Sequence, residues 1–288
     1  MQDEIVARLA NQLQAQLIDI EARRAAQSPH PDSTDLYFQG MARVNKGPAF
    51  DTLTQARGFF ERALGLDPDN VDALASMAYV DYAIGAQRFT ENPGERMIAA
   101  EAAARKVLSL APNNVLAHQV LAQVYMFTNR GEQAIIESEH ALALDRNSAA
   151  SHAVLGYTKS LHGKSEETEG HVLDALRLSP RDVQVYFWAF MAGSAKVRLD
   201  QDEEAVNWLR RSIDANRNFP AAYFFLAAAL ARLGKSDEAR IAAKSGVTLD
   251  PRFTIAAYRA VSATDNPTSR AEAEYVFDGM RQAGLPER

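Results

Sequence analysis

The chain has 288 residues, 47% hydrophobic and 24% charged, with no cysteine and a formal net charge of -6. That hydrophobic share suffices for a packed core, and the acidic balance argues against a nucleic-acid partner, which would call for a basic face. Without cysteine there is no disulfide or thiolate zinc site, which fits a cytoplasmic setting.

From the start, residues 2–27 read as one helix, with Ile5, Leu9, Leu13, Leu17 and Ile20 along a single stripe. The expectation is that this stripe packs on the first of the helices downstream; pairing with a second copy or with an upstream domain are the alternatives. Ser28-Pro29-His30-Pro31-Asp32-Ser33 breaks the helix and caps the next one. Asp35-Leu36-Tyr37-Phe38-Gln39-Gly40 resembles a viral-protease cleavage sequence, but Gly40 suits the small position of a first helix, so the segment reads as native. After it a phrase recurs: Leu66-Asp67-Pro68, Leu110-Ala111-Pro112, Leu178-Ser179-Pro180 and Leu249-Asp250-Pro251, with degenerate copies at Arg146 and Arg217. The steps 112 to 146, 146 to 180 and 217 to 251 are each 34 residues; the other two are 44 and 37. A fixed period of this size predicts stacked helical pairs. Leu155, Gly156 and Leu161, then the turn Gly163-Lys164, then Val172, Ala175 and Leu176 show the two amphipathic helices of one pair. Small residues (Ala56, Ala100, Ala134, Ala205, Ala239) recur one turn into the second helices, and proline ends them. Gly85 to Gly94 lengthens one turn, and Phe89 makes it a candidate contact loop. The longest apolar run, Pro220 to Ala231, falls short of the ~20 residues of a membrane span and reads as a buried repeat helix. A last helix is expected near Ala271 to Gln282.

These small, glycine, alanine and proline positions resemble the tetratricopeptide repeat over roughly residues 35 to 253. The departures are Arg146 and Arg217 for proline, and Thr168 and Ser212 for alanine. The resemblance implies an all-α, right-handed α-solenoid. Residues 1–32 form an N-terminal helix and linker. Six repeats follow at about 33–70, 71–114, 115–148, 149–182, 183–219 and 220–253, and 254–288 supply C-terminal capping helices. The two ends, Gln2 to Ala10 and Met280 to Glu287, also resemble the repeat-bearing C-terminal regions of bacterial class III adenylate cyclases. No catalytic residue carries over from that resemblance.

No enzyme site assembles in the sequence. Gly163-Lys164-Ser165 and Gly234-Lys235-Ser236 look like phosphate-loop ends, yet the glycine required five residues earlier is Thr158 or Ala229. His118 and His152 share a repeat position, but no carboxylate at matching positions completes a ligand set, so neither metal nor cofactor is expected. Glu166, Glu167 and Glu169 read as a helix start favourable to the dipole. The resemblance instead directs attention to the concave groove lined by the first helices. There the positions that face outward hold Tyr79, Tyr82, Gln119, Gln123, Met126, Tyr157, Ser160, Phe187, Met191 and Phe224. They lack the Lys, Arg and Asn of a carboxylate clamp and offer apolar anchors for a partner protein or peptide. Phe187 and Phe224 read equally well as packing between repeats, and Tyr79, Gln123 and Tyr157 are the leading contacts. The expected function is a non-enzymatic protein-binding scaffold, with the regulatory part of a cyclase as the alternative.

Overall fold

The computed structural model describes residues 13, 16–87, 90–262 and 265–288, all helix or connection with no strand. Helix α1 covers 16–25. Six helical pairs follow: α2 (Ser33–Val44) with α3 (Phe50–Leu66), α4 (Val71–Ala86) with α5 (Pro93–Leu110), α6 (Val115–Phe127) with α7 (Gly131–Leu144), α8 (Ala149–Leu161) with α9 (Thr168–Leu178), α10 (Val185–Arg198) with α11 (Asp202–Ala215), and α12 (Pro220–Arg232) with α13 (Ser236–Leu249). The chain ends in α14 (Ile255–Val261) and α15 (Pro267–Gln282). It divides into two compact units, one up to Ser151 and one from His152.

The recurring phrase works as punctuation. Asp67 leaves the helix in an extended conformation, Pro68 prevents continuation, and the Asn70 side chain accepts from the Ala73 amide to cap α4. Asn114 does the same for α6 through Ala117, and Asp32 forms a capping box with Asp35 for α2. Inside each pair the small residue is where the two backbones approach. Ala56, Ala100, Ala134 and Ala205 are fully buried and Ala239 nearly so. Thr168 keeps the position because its hydroxyl donates to the Gly156 carbonyl at 2.9 Å, and Ser212 likewise donates to Tyr186 at 2.7 Å. Each substitution for alanine thus satisfies its own polar atom.

In the first unit, Asp81 is buried and accepts from Arg57 Nε at 3.0 Å and Arg96 Nη1 at 2.9 Å, tying α4 to α3 and α5. The long insertion is only partly taken up by helix: Gly85 and Ala86 lie within α4, Pro93 and Gly94 begin α5, and 87–92 connects the two. Phe89 lies outside the described residues, as do Ile5 and Leu9. The N-terminal stripe is not the packed face. Leu13, Leu17 and Ile20 are exposed, while Ile18, Ala22 and Ala25 are buried. The small face goes inward because two alanines let α1 lie close, and Arg24 reaches Asp35 at 3.7 Å.

The turn after a first helix has its own rule. Asn129, Gly163, Asp200 and Gly234 occupy one repeat position, and all four have positive φ, from 57° to 77°. The two Gly-Lys pairs are therefore helix terminators in left-handed geometry, a conformation that favours Gly, Asn and Asp. Gly234 has open space where a Cβ would go, so only backbone strain opposes a side chain there. Gly234→Ala should cost about 1–2 kcal/mol and lower the thermal midpoint without changing the helical circular dichroism at 20 °C. An unchanged midpoint would refute the left-handed turn.

Candidate functional site

The first unit presents α4 and α6 as first helices. Tyr79, Gln119 and Gln123 are half-buried on them, whereas Tyr82 and Met126 are buried. The Tyr82 ring lies between Tyr79 at 6.4 Å and Phe127 at 5.9 Å, so it forms floor beneath Tyr79. Gln119 Nε2 is committed to the hydroxyls of Ser148 at 2.9 Å and Ser151 at 2.7 Å. Gln123 differs: its Oε1 is shielded from solvent and has no hydrogen-bond partner among the described residues.

In the second unit the same row of positions is covered. Tyr157, Ser160, Met191 and Phe224 are buried, and Phe187 is half-buried in a cluster with Phe190, Phe219 and Tyr157. Burial pushes the Tyr157 hydroxyl up from its ordinary value, with Tyr258 adding to the shift. Phe224 stacks on Phe253 at 3.7 Å, in keeping with a packing role. The cover is α15. It doubles back from the end of the chain and packs on α12 and α10, burying Ala273, Val276, Phe277 and Met280. Gly279 makes the close approach: a Cβ there would sit 2.7 Å from the Ala228 carbonyl oxygen.

A polar lock sets the register of α15 at its start. Asn266 Nδ2 donates to the His162 carbonyl at 3.1 Å, Ser269 Oγ to the Leu161 carbonyl at 2.7 Å, and Ser165 Oγ to Glu272 at 2.7 Å. Ser160, a groove residue in the sequence reading, pairs with Ser165 at 3.0 Å and so serves this lock. Burial raises the Glu272 carboxyl above its ordinary value, against the opposing pull of the Ser165 bond and the nearby Arg198.

The titratable clusters sort differently from expectation. Glu167 is held below the usual carboxylate range by Lys159 at 2.5 Å. For Glu169, burial works upward, yet Lys196 at 2.8 Å and Trp208 Nε1 at 2.9 Å hold it down. Both are ion-paired structural groups. His118 and His152 each turn to the second helix of their own pair. His118 Nδ1 meets Glu137 at 2.6 Å, and His152 Nδ1 meets His171 Nδ1 at 3.4 Å. A carboxylate does accompany His118, outside the matching positions considered in the sequence: Glu137 lies on the facing helix, 19 residues on. No helix among the described residues is long and apolar enough to cross a membrane.

Residues 220–253 match the tetratricopeptide repeat family model. No curated protein matches the sequence. Among solved structures, a chain of the APC/C hetero-tetramer Cut9-Hcn1 superposes with a TM-score of 0.68 at 15% identity, over 89% of this chain and 46% of its own length. This protein thus spans about half of that relative. A chain of the human IFIT1 dimer with m7Gppp-AAAA gives 0.65 at 15% identity, over 92% and 63%. TTC0263, a thermophilic TPR protein of Thermus thermophilus, gives 0.54 at 18% identity, over 69% and 98%. The fold is thus an all-α solenoid of tetratricopeptide-type helical hairpins.

Because the Glu272 carboxyl is raised when α15 is docked, the docked state holds its proton more tightly than the released one. Docking is then strongest at low pH and loses stability as pH rises above the ordinary carboxylate range. Glu272→Gln keeps an acceptor for Ser165 and removes the buried charge. Amide protection factors in α15 should be higher in this variant than in the wild type at pH 7, and equal to it at pH 4. Lower protection at pH 7 would contradict the assignment.

Proposed function

We propose that the protein is a non-enzymatic scaffold that binds a helical segment of a partner protein on the first-helix face of its first unit. The observation that carries this reading is α15. In the second unit the first helices α10 and α12 already hold a helix, supplied by the chain itself and anchored by Val276, Phe277 and Met280. That arrangement is a worked example of what such a face accepts: a helix with apolar anchors and a small residue at the close approach. In the first unit Tyr79 and Gln123 are the half-buried equivalents, and the shielded, unpartnered Gln123 Oε1 is the acceptor a partner would meet on rearrangement of that side chain. Tyr82 and Met126 would form the floor beneath the partner. Tyr157 and Phe187 pack in their own aromatic cluster, Ser160 serves the α15 lock, and Met191 is buried. Cut9-Hcn1 is an assembly of two proteins, which accords with this reading. The IFIT1 structure holds an RNA cap, but a net charge of -6 disfavours that ligand here. The exposed Leu13, Leu17 and Ile20 give α1 a second apolar strip, which fits self-pairing as a separate contact.

The reading is tested by placing a photo-crosslinking phenylalanine analogue at Tyr79, at Gln123 and, as a control, at the exposed Glu139 on α7, in the source cell. Discrete protein adducts are expected at the first two positions and not at the third. Absence of adducts at Tyr79 and Gln123, or the same adduct from all three, would remove this face as the binding surface.

A further inference from the structure

We propose that His118, Glu137 and His140 form a three-ligand site for a divalent transition metal of the zinc class. His118 projects from α6. Glu137 and His140 are three residues apart on α7, hence on one face of that helix. One ligand atom from each residue lies within 4.8 Å of the others. The His118 and His140 rings stand edge to face at 5.5 Å.

The hydrogen bonding around His118 points to a cation. Its Nε2 lies 3.0 Å from the Pro112 carbonyl oxygen, an acceptor that can only receive, so the proton belongs on Nε2. Its Nδ1 faces the Glu137 carboxylate, 2.6 Å away. A contact this short needs a positive centre between the two atoms, which either a proton or a metal ion supplies. The Pro112 carbonyl is also the partner that metal-bound imidazoles commonly recruit, fixing tautomer and ring orientation from the far side. Two imidazoles and one carboxylate suit zinc and its neighbours; calcium and magnesium prefer more oxygen ligands. Tetrahedral ligation at about 2.0–2.2 Å spaces ligand atoms by about 3.4 Å. The His118–Glu137 pair must open slightly to reach this, and His140, on the exposed side, closes by side-chain rotation. Three protein ligands leave one position for water or for a group from a bound partner.

The next repeat provides an internal comparison. Adding 34 to each number gives His152, His171 and Asp174, again two imidazoles and a carboxylate. There, however, Asp174 is taken by Arg177 at 3.0 Å. Burial, with Lys159 and His152 beside it, holds the His171 imidazole below its ordinary value. The third repeat has Ala143 in place of Arg177 and Tyr125 in place of Lys159. It keeps the ligand types, and the cations beside it, Arg105 and Arg130, lie on Tyr125.

The test is titration of the full chain, without a polyhistidine tag, with Zn²⁺ by calorimetry and with Co²⁺ by visible absorption. One equivalent should bind, and Co²⁺ should give the intense bands of four-coordination. His140→Ala and Glu137→Gln should each weaken binding by at least about tenfold, a loss that even outer-shell partners cause. His152→Ala should leave affinity unchanged, and His140, being exposed, can be removed with the helical circular dichroism intact. The proposal is overturned if no saturable one-to-one binding occurs, if binding survives both ligand substitutions, or if His152→Ala abolishes it equally.

Discussion

The close approach of two helices within each pair is the contact on which everything else rests. It occurs one to two turns into the second helix, where Ala56, Ala100, Ala134, Ala205 and Ala239 leave no room for a larger apolar side chain. Overfilling such a point costs about 1–3 kcal/mol, and the repeat would multiply it. In four of the hairpins the chain reverses through left-handed geometry, at Asn129, Gly163, Asp200 and Gly234. Once both are fixed, the phase of every first helix is fixed, and with it the residues on the outward-facing row.

What happens on that row is then a matter of what covers it. In the second unit α15 brings a polar lock at one end and apolar anchors at the other. The lock, through Asn266, Ser269 and Glu272, selects one register, since a one-turn slip would strand buried donors and acceptors. The anchors Val276, Phe277 and Met280 supply the burial, at roughly 1.5–3 kcal/mol each. Gly279 decides how deeply the helix sits. The tail secures it further, because the amides of Ile255 and Ala256 donate to the carbonyls of Pro286 and Glu287. An internal helix held in this way resembles a bound ligand more than an end cap.

Helix identity and phase were legible because they rest on short-range chemistry: asparagine caps, prolines after leucine, and small residues at a constant interval. The second-helix positions of Thr168 and Ser212 read as departures, since the sequence does not reveal that their hydroxyls find carbonyls on the facing helix. On α1 the larger side chains Leu13, Leu17 and Ile20 suggested the packed face. Close approach instead selected the alanine face one position away. Occlusion of Ser160 was hidden for another reason. The segment that locks it lies about a hundred residues downstream, and nothing local to Ser160 records it.

The His118 cluster escaped notice through the direction of search. Comparing equivalent positions between repeats pairs His118 with His152, whereas the contacts run within a pair, from a first helix to residues 19 and 22 further along. A period-34 scan of such within-pair sets finds both His118–Glu137–His140 and His152–His171–Asp174. The comparison is informative because the hairpin geometry is shared while the surrounding charges differ. Where Lys159 and Arg177 are present, the polar set is neutralised by the chain's own cations. Where Tyr125 and Ala143 stand instead, Arg105 and Arg130 meet the Tyr125 side chain, and the carboxylate and imidazoles face each other. A repeat scaffold thus acquires local chemistry at little structural cost. The close contact and the turn tolerate almost no variation, but the side chains between them can change one repeat at a time.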